Sequence, residues 1–214
     1  FAELDRSVGK DAWLAVLTAD HGVAPFPEQM AALGIDAGRI DMNAVSARLN
    51  DALVTALGPG KHVVSAQYTN LYLAPGVRTK LAEKPGAMRR ALEAVRGVPG
   101  VAAAFDGDDL ARGPDGADPN RDAAARSYHP ERSGDILLVP RPHFLTVGQG
   151  TTHGTANEYD RRVPLFVLGA GLAPAVHDRA VSPADIAPTF GVYAGVTLPR
   201  VDGRPLVEVL PARR

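Results

Sequence analysis

The 214 residues contain no cysteine, which excludes disulfides, thiolate nucleophiles and Cys-ligated zinc and leaves His, Asp and Glu as the strong metal ligands. Redox chemistry therefore does not fix the compartment. Aromatic residues are scarce, 6% with a single Trp. No apolar stretch approaches the roughly 18 to 20 residues of a membrane span, and the first residues lack a signal-peptide layout. Charge of one sign is not in excess either, with 23 Lys and Arg against 24 Asp and Glu and a net charge of −1. Neither nucleic acid nor an anionic membrane is an expected partner.

What remains is an ordinary globular balance, 45% hydrophobic and 22% charged. At roughly 150 residues per domain the chain reads as one domain-sized piece spanning 1–214. It begins on Phe1 rather than Met and is expected to be processed or part of a longer protein.

Phe1, Leu4 and Val8 fall at helical spacing before Gly9, and Ala12 to Thr18 is a continuous apolar run, the pattern of a strand buried on both faces of a parallel sheet. That strand delivers Ala19-Asp20-His21-Gly22 to its C-terminal end, where ligands bind in open α/β sheets. A short helix is expected at Glu28 to Leu33, and a longer one capped by Asn43 and running to Leu57. Val63 to Ala66 and Asn70 to Leu73 read as strands, Met88 to Val95 as a helix, and Val101 to Phe105 as a strand. Asp106 to Ala125 reads as loop with a turn of helix at either end. Asp135 to Val139 and Val163 to Leu168 are strands, Phe144 to Val147 resumes pairing after Pro140 and Pro142, and Ser182-Pro183 opens a helix. Gly169-Ala170-Gly171 closes the last strand. Alternating elements predict an α/β three-layer sandwich around a mainly parallel central sheet.

Asp20 and His21 form the first candidate site, since an oxygen and a nitrogen donor side by side can turn toward one cation. Two ligands do not complete a catalytic zinc site, and an Asp in a turn bonded to its neighbouring His is the structural alternative. His153, in Gly150-Thr151-Thr152-His153-Gly154-Thr155, is the second, flanked by glycines that admit close approach of backbone to a ligand. Imidazole and carboxylate without thiolate suit zinc or manganese. His62, His129, His143 and His177 read as structural, with Arg132 and Asp135 expected to pair beside His129. No Gly-x-Ser-x-Gly elbow, Walker-type loop or His-Glu-x-x-His helix is present.

Three segments in order carry a resemblance: Leu17-Thr18-Ala19-Asp20-His21-Gly22; Thr151 to Thr155 followed by Tyr159-Asp160 and Val163-Pro164-Leu165; and Asp185-Ile186-Ala187-Pro188-Thr189. They resemble the C-terminal part of the alkaline phosphatase superfamily of metal-dependent phosphoesterases. Ala66 to Leu73 and Tyr128 to Asp135 resemble the phosphate-irrepressible bacterial members, relatives of type I phosphodiesterases and nucleotide pyrophosphatases. The resemblance implies two zinc ions, one held by Asp20 and His21 and the other by His153. It implies hydrolysis of phosphate monoesters or diesters through a covalent phospho-Thr or phospho-Ser, in a periplasmic or secreted protein.

It also implies an early Asp ligand, the nucleophile, phosphate-contacting side chains and an Asp-x-x-x-His pair, all ahead of Phe1. None is found here: Asp36, Asp41 and Asp51 have no His four residues on. The chain alone is expected to be inactive and to bind zinc poorly, its partner being the missing N-terminal portion. A non-catalytic metal- or ligand-binding relative, a sulfatase and a phosphotransferase are the alternatives, and the fold does not choose among them.

Overall fold

The computed structural model describes residues 1–10, 12–169 and 172–210. Ala170 and Gly171, in the expected closure of the last strand, lie outside them. Helix α1 (Ala2–Val8) leads into strand β1 (Leu14–Thr18), then α2 (Pro27–Ala32), β2 (Gly38–Arg39) and the long helix α3 (Met42–Leu57). Strands β3 (Val63–Gln67) and β4 (Asn70–Leu73) precede α4 (Val77–Ala82), α5 (Ala87–Arg96), β5 (Val101–Asp106), α6 (Gly107–Leu110) and α7 (Pro119–Ser127). Strands β6 (Ile136–Pro140) and β7 (Phe144–Leu145), helix α8 (Glu158–Arg161) and strand β8 (Leu165–Gly169) follow, then a 3-10 turn (Pro183–Asp185), helix α9 (Ile186–Ala194) and a last 3-10 turn (Val207–Val209). The chain divides into two compact units, Val23–Arg161 and the combination of Phe1–Gly22 with Arg162–Arg214.

The Val23–Arg161 unit is built on a sheet of order β3-β4-β6-β5, antiparallel at every pairing. Helix α3 buries Val45, Leu49 and Leu53, four residues apart on one face, in a cluster with Ala91 and Val95 of α5 and Leu71, Ile136 and Leu138 of the sheet. On the other face of β6, Leu137 packs with Phe105, Leu110, Ala124 and Ala125. Strand β6 is thus apolar without alternation because both its faces are covered. Fully burying one such leucine stabilises the fold by roughly 1.5–3 kcal/mol.

That two-sided burial explains where the structure departs from the expected mainly parallel sheet. A continuous apolar run does not report strand direction. Only β2 and β7 pair in parallel among the described strands, and β1 pairs with β8 antiparallel.

Smaller departures have local causes. The cap of α3 is Asp41 rather than Asn43, its carboxylate accepting the backbone N–H groups of Asn43 and Ala44. Helix α4, unexpected from the sequence, is six residues long, too short to show a period; it buries Val77 and Leu81. After the two prolines, β7 pairs with β2 and not with β6. Asp135 takes Arg78 as its cationic neighbour at 3.7 Å, not Arg132, and accepts the Leu73 N–H at 2.7 Å. Arg78 also bonds Asp106, at 2.8 Å, and Asp108. Burial opposes its charge, but these carboxylates outweigh burial and raise its pKa above the ordinary arginine value.

In the other unit, β1 and β8 form a ribbon in the register Leu14↔Gly169 to Thr18↔Leu165. Phe1 stacks on Trp13, whose indole N–H donates to Asp5 at 2.9 Å, so α1 is fastened to the start of β1. In the same unit a capping box at Ser182 starts the turn that leads into α9.

Candidate metal-binding and phosphoesterase site

Strand β1 ends at Thr18, whose hydroxyl donates to the Pro164 carbonyl at 2.8 Å and ties the strand end to the start of β8. Asp20 and His21 leave from this anchored end. The Asp20 carboxylate accepts the backbone N–H of His21 at 3.1 Å, and its side chain is 87% exposed. The Nδ1 of His21 lies 2.7 Å from the carbonyl oxygen of Gly22. A carbonyl only accepts, so Nδ1 carries the proton, and in the neutral ring the lone pair sits on Nε2. That Nε2 faces Asp20 Oδ2 at 3.6 Å. Two ligand atoms on a tetrahedral zinc, each about 2.0–2.1 Å from the ion, lie about 3.4 Å apart. The pair therefore fits two corners of such a site, with the outer hydrogen bond that metal-ligating histidines use to fix the ring.

His153 belongs to the other compact unit, in the loop between β7 and α8. Just before it, the Thr151 hydroxyl and the Thr152 carbonyl bond the main chain of the buried Ala24. Just after it, Asp160, only 4% exposed, accepts the Thr155 N–H at 2.8 Å and the Thr155 hydroxyl at 2.6 Å. Asn157 donates its amide to Thr155 Oγ1 at 3.0 Å and to the Tyr159 hydroxyl at 2.9 Å. The Tyr159 hydroxyl also accepts the backbone N–H of His143, whose ring stacks on the Tyr159 ring. The other carboxylate oxygen of Asp160 and Nδ1 of His143 are buried with no hydrogen-bond partner among the described residues. This frame was missed as a functional element in the sequence; its one legible trace is Tyr159-Asp160 close behind a Thr-rich loop.

The structure brings Asp20 and His21 together. It gathers no group of three or more His, Asp or Glu able to hold a metal ion among the described residues. Asp185, in the third segment of the resemblance, caps and braces: its oxygens accept the backbone N–H groups of Arg204 at 2.9 Å and Ser182 at 3.0 Å. Those bonds, the Arg204 one first, hold its pKa below the ordinary aspartate value. The Thr189 hydroxyl donates to the Asp185 carbonyl and accepts from Leu206 N–H.

Two histidines read as structural have structural contacts. His62 lies against the Gly58 carbonyl at 2.9 Å, and His129 closes a turn with Glu131 and Ser133.

Comparison with known proteins shows what the chain is similar to. No family model matches the chain. It is 30% identical, over 98% of its length, to a protein named calcium-transporting ATPase from Myroides odoratus, and 30% identical, over 95%, to alkaline phosphatase PhoK from a Sphingomonas species. The crystal structure of alkaline phosphatase PafA matches 98% of the chain with a TM-score of 0.79 and 26% identity. In sequence and fold the chain is similar to bacterial alkaline phosphatases, which supports that superfamily, and its mixed sheets match part of that α/β fold. It spans about two fifths of the relatives it matches, 39% of PhoK and 40% of PafA.

Proposed function

We propose that the chain is part of a zinc-dependent phosphoesterase of the periplasm or extracellular space, hydrolysing phosphate monoesters or diesters by attack of a Thr or Ser supplied from outside these 214 residues. The observation that carries this reading is the Asp20–His21 pair, two donors 3.6 Å apart at an anchored strand end, with the His21 ring oriented by the Gly22 carbonyl. The named phosphatases among the relatives support the reaction class.

In this reading Asp20 and His21 hold one zinc and His153 holds a second. When bound, a zinc pair supplies Lewis acidity at the phosphoryl oxygens and makes water a nucleophile near neutral pH. The chain's own residues prepare for it. The Nδ1–H bond to Gly22 fixes the imidazole tautomer so that Nε2 is the ligating atom. Asp160 and Thr155 hold the backbone beside His153, which limits how far its ring can wander.

The test is turnover of a phosphate monoester, a phosphate diester and a sulfate ester by the complete protein, with metal content measured in parallel. The expected result is phosphate-ester hydrolysis lost with a chelator and restored by zinc, falling at least about hundredfold in Asp20→Ala and His21→Ala, each with loss of bound zinc. An inert complete protein that retains zinc would overturn the catalytic reading, and preferential sulfate-ester turnover would overturn the substrate class. Robust hydrolysis by the 214-residue chain itself, abolished in Asp20→Ala, would overturn the placement of the nucleophile.

A further inference from the structure

The loop that carries His153 is fastened by a cation on the neighbouring strand. Strand β2 runs parallel to β7, with Arg39 level with Leu145, and the Ile40 N–H donates to the Leu145 carbonyl at 2.8 Å. Ile40 and Leu145 are buried, so the backbone is fixed where the loop departs. From that strand the Arg39 guanidinium reaches two main-chain carbonyls of the loop, Val147 from Nη1 at 2.8 Å and Gly150 from Nη2 at 2.9 Å. Its other edge grips the Glu28 carboxylate, with Nε at 2.6 Å and Nη2 at 3.0 Å. Glu28 stands in the first turn of α2. The hydrogen bond from Arg39 is the largest cause holding the Glu28 pKa below the ordinary glutamate value, so the carboxylate keeps its charge.

A planar guanidinium presents donors in fixed directions and can serve a carboxylate and two carbonyls together, whereas lysine ends in a single nitrogen. The clamped loop adds little to the core. None of residues 147–154 belongs to either apolar cluster, and Gly148 to Thr151, His153 and Gly154 are exposed. The Arg39 side chain is nevertheless only 21% exposed, a charge largely withdrawn from water to bond an exposed polar loop. Gly150 and Gly154, on either side of His153, are both left-handed, with φ of 68° and 97°, and glycine loses more freedom on ordering than any other residue. Order in this stretch therefore comes from its hydrogen bonds. Ahead of His153 these are the bonds of Arg39 to Val147 and Gly150 and of Ala24 to Thr151 and Thr152; behind it are those of Asp160 to Thr155. His153 is the side chain that they bracket.

We propose that Arg39 is a positioning residue for His153: with Glu28 as its brace, it fixes the chain from Val147 to Gly150 and thereby the point from which the His153 imidazole meets a metal ion. The inference rests on the reading of His153 as a zinc ligand and adds the group that aims it. A zinc–nitrogen bond is about 2.0–2.1 Å long, and a site works when its ligands are held to within about 0.5 Å. A histidine between two flexible glycines meets that tolerance only when the chain on both sides is pinned. Groups that orient a ligand without touching the metal ordinarily change its affinity by about 10–100-fold when removed.

The experiment compares the complete wild-type protein with Arg39→Ala, Arg39→Lys, Glu28→Gln and, as the reference for the second metal, His153→Ala. Zinc affinity is read by competition with a chelator, turnover of a phosphate monoester as kcat and KM, and local order as amide exchange of residues 147–153 against β6. The expected result is that Arg39→Ala weakens by about 10–100-fold the one zinc that His153→Ala loses and leaves the other as in the wild type. Its kcat is expected to fall with that occupancy and to recover with added zinc, with KM staying within about threefold. The 147–153 amides are expected to exchange at least about tenfold faster, with β6 unchanged. Arg39→Lys, which keeps the charge without the fork, is expected to match Arg39→Ala within about threefold, and Glu28→Gln to fall between Arg39→Ala and the wild type. Wild-type affinity for both zincs in Arg39→Ala, or in Arg39→Lys, overturns the inference and leaves the proposed function standing. Equal weakening of the two zincs overturns it as well, being the mark of a general loss of structure. Should Arg39→Ala not fold, Arg39→Lys and Glu28→Gln decide by the same readings. A complete protein from which His153→Ala removes no zinc overturns the assignment of His153 and this inference with it.

Discussion

The buried carboxylate of Asp160 takes two hydrogen bonds from one residue, Thr155, through the backbone N–H at 2.8 Å and the hydroxyl at 2.6 Å. Both donors sit two residues after His153, so this one side chain sets the path of the loop. Removing it leaves the Thr155 N–H without its acceptor in a half-buried setting. Asp160→Ala is expected to cost the Val23–Arg161 unit about 2–4 kcal/mol in denaturant unfolding, in the range for losing a charged acceptor and stranding its donors. Exchange of the 153–157 amides is expected to quicken more than that of β6. Equal quickening everywhere would assign Asp160 to global stability alone.

Zinc titration of the 214-residue chain follows from the donor count. Asp20 and His21 supply two corners of a tetrahedron, and no group of three acids or histidines completes a site among the described residues. Structural zinc sites with four protein ligands reach apparent binding energies of about 10–16 kcal/mol, whereas a two-donor site is expected to bind no tighter than about micromolar. Calorimetry with Asp20→Ala as the control checks this. Nanomolar binding that Asp20→Ala removes would mean that the chain assembles a fuller site by itself.

Acid is expected to loosen the segment between Ser182 and Leu206 before it loosens the β3-β4-β6-β5 sheet. The Arg204 and Ser182 N–H groups lower the Asp185 pKa in the folded state. A carboxylate depressed on folding contributes stability that is fully present above its unfolded value, about 3.8, and is lost as pH falls through its lower folded value. Following the Arg204 and Ser182 amides by NMR between neutral pH and about pH 2 should show them freed only in acid. Asp185→Asn, which has one acceptor oxygen where two are used, should free one of them already at neutral pH. Identical profiles in the two proteins would remove Asp185 as the cause.

Much of this was legible in the sequence because the relevant signals are local. Apolar runs located β1, β6 and β8, the spacing of Val45, Leu49 and Leu53 located α3, and the Asp20-His21 dipeptide at a strand end located a donor pair whose two atoms do face each other. What was not legible depends on distant partners. Strand direction is set by which strand lies alongside, so β1 and β8 pair antiparallel where their continuous apolar runs suggested a mainly parallel sheet. The bond from Asp135 to Arg78 crosses 57 positions and passes over the nearer Arg132. The role of Asp160 was hidden for the opposite reason: it acts on Thr155 only five residues away, but through a burial that no short window of sequence reveals.

Paired truncations in the two units test whether burial, and not hydrophobicity as such, carries the stability. Leu49 and Leu17 are the same residue type, but Leu49 is fully buried between α3 and the sheet while Leu17 lies open on the ribbon. Leu49→Ala removes buried methyl groups and leaves a cavity, and is expected to cost about 2–5 kcal/mol in denaturant unfolding of the 214-residue chain. Leu17→Ala is expected to change the same quantity by no more than about 0.5 kcal/mol, the ordinary range for exposed positions. A large cost for Leu17→Ala would mean that the ribbon is covered in this chain.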